Sequence, residues 1–78
     1  MRLKDLASVI DATELCVACV DDDDFTEIVA DITMSKGFAN YHKECEKFRR
    51  FVESDEFIVV RICIIKPEPR IYVKIKKG

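Results

Sequence analysis

Glycine is scarce in this 78-residue chain, which has only Gly37 and Gly78, and histidine occurs once, as His42. A loop that cradles a phosphate or an oxyanion is normally built on several glycines. With two, neither a nucleotide loop nor an anion-stabilising turn is expected. A Cys45 thiolate activated by His42 would still need a third orienting group, so no enzyme is expected. Long apolar runs are also missing. The greasiest stretch, Phe57 to Ile65, contains Arg61 and falls short of the ~18 residues a membrane span requires. Met1-Arg2-Leu3-Lys4-Asp5-Leu6 lacks the apolar centre and small-residue cleavage site of a signal peptide. A cytoplasmic protein without membrane contact is expected, its four cysteines being thiols or metal ligands and not a disulfide framework.

Apolar residues make up 49% and charged residues 36%, which excludes a disordered tail and fits a single domain over residues 1–78. Thirteen Lys and Arg against fifteen Asp and Glu give a net charge of −2, favouring neither a general nucleic-acid binder nor an acidic tail. A domain this small buries only about 60% of its unfolded surface, so support from a partner, a metal or a second copy is a reasonable expectation. Charge is divided: residues 1–31 hold nine acidic and two basic side chains (−7), and residues 32–78 hold six and eleven (+5). That division predicts a charge dipole suited to oriented docking.

Leu3, Leu6, Ala7 and Ile10 recur at helical spacing and predict a short amphipathic helix over Arg2 to Ile10. Glu14 to Val20 reads as a buried strand, and Asp21 to Asp24 as a solvated turn. Phe25 to Met34 fits two periods. As a helix it is capped by Asp24 with Glu27 three residues on; as a strand it places Ile28, Ala30, Ile32 and Met34 on one face. Its β-branched content favours the strand. Phe38, Tyr41, Cys45, Phe48 and Val52 form the stripe of a helix over Ser35 to Glu53, with Gly37 in its first turn. Phe57 to Ile65 follows as a strand with Ile58, Val60, Ile62 and Ile64 inward and Phe57, Val59, Arg61 and Cys63 outward. Lys66 to Arg70, with two prolines, is a loop. Ile71, Val73 and Ile75 then alternate with Tyr72, Lys74 and Lys76 in a last strand, at an edge protected by lysines. The order α-β-β-α-β-β predicts an α+β fold, a two-layer sandwich whose four-stranded, mainly antiparallel sheet carries the long helix on one face.

One spacing points to metal chemistry. Cys16 and Cys19 form a CxxC, and after 22 intervening residues His42 and Cys45 form an HxxC, the kind of paired ligands that tetrahedral zinc takes. The spacing resembles the first zinc site of the LIM domain; the second site, due shortly after Cys45, is absent. A strand through Cys16 and Cys19 would point them to opposite faces, so the expected reading is no cofactor, with zinc as the alternative. Calcium would need a glycine and alternating ligands after the aspartates, and Phe25 stands in their place. Tyr72, Lys74 and Lys76, joined by Arg61, form an aromatic set among cations of the kind single-strand nucleic-acid binders use, though the aspartate cluster opposes phosphates.

Met1-Arg2-Leu3-Lys4-Asp5-Leu6, Val9-Ile10-Asp11, Thr13-Glu14-Leu15, the Asp-rich turn and the closing Ile71-Tyr72-Val73-Lys74-Ile75 together resemble small uncharacterised proteins of phages and prophages of Firmicutes. The four cysteines and the basic last strand depart from that pattern, and no residue role carries over. The resemblance implies a phage accessory protein in the bacterial host cytoplasm, one that occupies a surface of a host or defence component, for instance as an inhibitor of a CRISPR effector. Size, divided charge and the missing catalytic constellation lead to the same expectation, a non-enzymatic protein-interaction module. Its candidate contacts are Asp21, Asp22, Asp23 and Asp24 as an acidic phosphate mimic, and Phe57, Val59, Arg61, Tyr72, Lys74 and Lys76 on an outward sheet face. The N-terminal helix or a second copy in a homodimer would cover that face if a partner does not. A zinc-stabilised domain and a single-stranded nucleic-acid binder are the alternatives.

Overall fold

Period-two runs become four strands and the three-four stripe becomes the long helix. The order is α1 (Leu3–Ala7), β1 (Leu15–Val20), β2 (Thr26–Ile32), α2 (Phe38–Ser54), β3 (Phe57–Ile65) and β4 (Arg70–Lys77). The computed structural model describes residues 1–10, 14–21, 23, 25–65 and 70–78, with residue 65 by its backbone alone. The expected boundary at 11–13, Asp22 and Asp24 of the acidic turn, and the loop at 66–69 lie outside the described residues. Arg70, expected in that loop, opens β4.

The α+β class holds, and the sheet is mixed where a mainly antiparallel one was expected. Its strand order is β2-β1-β4-β3. The hairpins β1–β2 and β3–β4 are antiparallel, while β1 and β4 pair parallel at the centre, aligning Leu15 with Ile71, Val17 with Val73 and Cys19 with Ile75. The basic last strand is therefore central, and its lysines protect no edge. Central strands have neighbours on both sides, which is why Leu15, Val17, Val73 and Ile75 have no exposed surface.

Because β2 and β3 both run against the central pair, they are parallel to each other at opposite edges. The link between them has to return the chain across the sheet. Seventeen residues of helix span about 26 Å, close to the length of a seven- to nine-residue strand, so α2 makes that crossing in one element. Its stripe residues Tyr41, Cys45, Phe48 and Val52 pack on the core, whereas Phe38, on the same stripe, stays 64% exposed. Gly37 precedes the helix instead of sitting in its first turn, at φ +98° and ψ 162°, a region essentially reserved for glycine. The Gly37 carbonyl accepts the Tyr41 N–H at 3.1 Å. At the other end, Asp55 adopts a left-handed conformation, and Arg2 donates to its carbonyl at 2.8 Å and to its Oδ1 at 3.1 Å.

Two further expectations are corrected by β-bulges, one in each edge strand. A bulge inserts one extra residue and so reverses which face the following side chains take. In β2, Ala30 and Ile32 are buried as expected, but before the irregularity Ile28 pairs with Ala18 on the opposite face and is 61% exposed. In β3, Phe57 and Val59 turn inward beside Ile75, and Ile58 pairs with Lys76 on the other face. Beyond the bulge Ile62 and Ile64 regain the helix-side face opposite Val73 and Ile71. They remain 45% and 65% exposed, because α2 reaches only the start of β3, where Phe51 meets Phe57. Val60, expected inward, is 50% exposed.

The first helix is shorter than Arg2 to Ile10, and its buried Leu3 and Leu6 complete the core over Phe57. Substituting Leu15→Ala should cost about 2–5 kcal/mol in urea denaturation, while Ile64→Ala, at a half-open position, should stay within about 0.5 kcal/mol of the wild type.

Candidate functional site

Directly paired residues share a face of the sheet, so the register fixes what stands on the side without helices. Cys16 lies between Asp31 and Tyr72, and Ala18 between Ile28 and Lys74. Tyr72 neighbours Cys63, Lys74 neighbours Arg61, and Lys76 neighbours Ile58. Of the expected contact residues, Arg61, Tyr72, Lys74 and Lys76 thus come together on one open surface spanning β4 and β3. Phe57 and Val59 do not join them: they face the helices, Phe57 being only 8% exposed.

Arg61, Lys74, Lys76 and Lys77 form no ion pair among the described residues, whereas Arg70, the remaining cation of the strands, has Glu14 and Asp31 beside it. Like charges set directly opposite each other across two strands are destabilising by tenths of a kcal/mol, and Arg61 and Lys74 stand in that relation. Tyr72 and Lys74 are half-buried and Arg61 and Lys76 exposed.

The acidic turn is differently placed from the expected dipole. Parallel pairing of β1 and β4 brings the turn after Val20 to the same end of the sheet as the β4 terminus. Asp21 and Lys77 both act on the Cys19 thiol there. The Asp21 carboxylate is engaged in closing the turn, its Oδ1 accepting the N–H groups of Asp23 and Phe25 at 2.9 Å each. Asp23 is exposed.

A second charged group was missed by sequence reasoning. The Arg70 guanidinium reaches across the start of β1, donating to the Asp31 carboxylate and, at 3.3 Å, to the Ile32 carbonyl. Its Nε lies 3.3 Å from Glu14 Oε2 without completing a hydrogen bond. Glu14 Oε1 accepts from Thr33 Oγ1 at 3.1 Å and from the Met34 N–H at 3.2 Å. The clamp ties β4 and β2 to the residue before β1, and each of its charges already faces an opposite one. Arg70, mainly by its hydrogen bond, holds the Asp31 carboxyl below the usual carboxylate range. Continuing the alternation of Ile71, Val73 and Ile75 back by one position would have placed Arg70 on the face of Tyr72. Nothing in the sequence shows that Asp31 comes within its reach.

The candidate metal ligands stay apart. Cys16 is on the open face and Cys19 on the helix face; Cys45 packs against the core, and the exposed His42 sets its ring edge-on to Phe38 at 4.4 Å. Among the described residues, no three His, Cys, Asp or Glu side chains are grouped to hold an ion. Burial first, then nearby carboxylates, pushes the Cys16 and Cys19 thiols up, away from the thiolate that a nucleophile or ligand must be. A shallow cleft of about 330 Å³ lies between Arg2, Asp55, Glu56, Ile58, Lys77 and Gly78, and Asp55 already occupies Arg2 there. No helix is long and apolar enough to cross a membrane among the described residues. No protein-family model, curated protein or solved structure matches the chain.

Since the folded pKa of Asp31 lies below its unfolded value of about 3.9, the clamp contributes fully above that value and is lost as pH falls through the folded one. Urea midpoints should therefore decline on acidification below about pH 5. Asp31→Asn should be less stable than wild type at neutral pH, by about 1–3 kcal/mol for the charge-assisted hydrogen bond lost to the part-buried Arg70, with the difference shrinking as the pH falls.

Proposed function

We propose that the protein is a non-enzymatic interaction module that docks an acidic surface of a protein partner on the open face of its sheet. The observation that carries this reading is the Arg61–Lys74 cross-strand pair, flanked by Lys76 and Tyr72 and unneutralised among the described residues. Such a pairing is a small liability to the isolated fold and an asset to a complex, where one carboxylate can satisfy two cations. Tyr72 adds a rigid amphipathic ring, and Ile28 and Ile58 add apolar area at the two flanks, a mixture common at the centres of interfaces. The role extends to that of a phage accessory protein occupying a host or defence component, including a CRISPR effector, in the bacterial cytoplasm. The aspartate turn is the lesser contact, since Asp21 spends its carboxylate on the turn itself.

A second reading has one specific observation in its favour: Tyr72 stands on the same face as three cations, as in surfaces that stack single-stranded bases between phosphate contacts. The two readings separate experimentally. A partner captured from bacterial lysate by the wild type, and bound at least about tenfold more weakly by Arg61→Glu/Lys74→Glu, supports the protein interface. Undiminished binding by that variant removes it. Salt-sensitive binding of labelled single strands that is lost in Tyr72→Ala would install the nucleic-acid reading instead. The module is expected to fold without metal, so protein purified in the absence of chelators should carry less than about a tenth of an equivalent of zinc.

A further inference from the structure

We propose that the outer edge of β3 pairs antiparallel with the same edge of a second copy of the chain, about a two-fold axis at Cys63. The backbone directions establish which groups are free. The Ile71 N–H donates to the Glu14 carbonyl at 3.1 Å, so Ile71, and by alternation Val73 and Ile75, turn their backbone groups toward β1. Their partners in β3, Ile64, Ile62 and Val59, therefore occupy non-hydrogen-bonded pairs and direct N–H and C=O away from the sheet. At Val59 the position is taken: its N–H donates to the Met1 carbonyl at 2.7 Å, and Arg2 bridges Ile58. Met1 and Arg2 thus lie against the first part of this edge. At Ile62 and Ile64 the same groups have no partner among the described residues, and both side chains are exposed at 45% and 65%.

The opposite edge is handled differently. There the Asp31 N–H is capped at 3.0 Å by Glu44 Oε1, a buried carboxylate of α2 that Lys47 holds at 2.8 Å. Beyond the bulge and Arg61, the apolar stretch Ile62 to Ile64 has no lysine, proline or covering helix, and such an open edge invites strand addition.

The occupant follows from the composition of the stretch. A two-fold antiparallel pairing centred on Cys63 sets this apolar stretch against itself, with no charge opposed. About Cys63, Ile62 of each copy faces Ile64 of the other, and their N–H and C=O groups exchange four hydrogen bonds. The two Cys63 residues meet in a non-hydrogen-bonded pair with Cα atoms about 4.5 Å apart. Arg61, the only charge in the stretch, faces the uncharged position 65, so no like charges meet. Pairing ends where Met1 and Arg2 already sit. The edge borders the cationic face through Arg61 and Cys63, but its test does not depend on that face having a partner.

Light scattering of the full chain at rising concentration should show the mass climb from 9.0 kDa toward twice that value. Ile64→Lys, at a position outside the core, should raise the dissociation constant at least about tenfold while leaving the urea midpoint near that of the wild type. A short bis-maleimide should link wild-type copies, with at least a tenfold loss of linked product in Cys63→Ser, on the order of one decade in yield. A mass fixed at 9.0 kDa up to the solubility limit overturns the proposal, as does a dimer that Ile64→Lys leaves intact or a linkage that persists in Cys63→Ser.

Discussion

The parallel alignment of β1 with β4 joins two hairpins that would each be marginal in water, since a two-stranded hairpin has too little apolar surface to stand alone. Leu15, Val17 and Cys19 meet Ile71, Val73 and Ile75 along this seam. Because each central strand is paired on both sides and roofed by helices on one face, the seam holds much of the fully buried surface. Other features follow from it. The edge strands must be parallel to each other, the link between them must cross the sheet, and α2 is the element of the right length to do so. The Arg70 clamp fastens the same seam from the open side, where no helix shields it.

Both edges carry a bulge, and the bulges decide where the apolar residues go. A chain with strict alternation would have buried Ile28, Ile58 and Val60 together with their neighbours. One extra residue in each edge strand reverses the phase, sending Ile28 and Ile58 to the open face while bringing Phe57 and Val59 under α1 and α2. The fold thereby gains an aromatic contact between Phe51 and Phe57 and gives up the cover of the distal half of β3. The asymmetry between a capped β2 edge and a half-open β3 edge comes from the diagonal path of α2, which lies chiefly over the first.

The proposed function rests on the surfaces that the sheet presents. The thiols of Cys16 and Cys19 are held protonated by burial and by carboxylates, and His42 leans on Phe38 in solvent. What the sheet presents instead is a flat face with small buried residues, Cys16 and Ala18, in the middle and cations along one side. A flat mixed surface of this kind suits recognition, where affinity comes from matching charge and excluding water.

Sequence periodicity was enough for the α+β class and for most of the elements, because alternation and three-four spacing are local properties of the chain, while for residues 26–32, where two periods fit, β-branched content decided for a strand. It also showed that Cys16 and Cys19, three apart in a strand, would point opposite ways, and it named four of the residues that share the open face. It did not reveal the parallel seam, since which strands become neighbours depends on how α2 packs and on contacts between residues more than fifty positions apart. Nor did it reveal the bulges: an extra residue in an edge strand has no signature in a run such as Phe57 to Ile65, where every candidate for either face is apolar apart from Arg61. The reach of Arg70 to Asp31, the capping of β2 by Glu44 of α2 and the open groups of Ile62 and Ile64 were likewise decided by tertiary structure, because each depends on which elements the assembled fold places side by side.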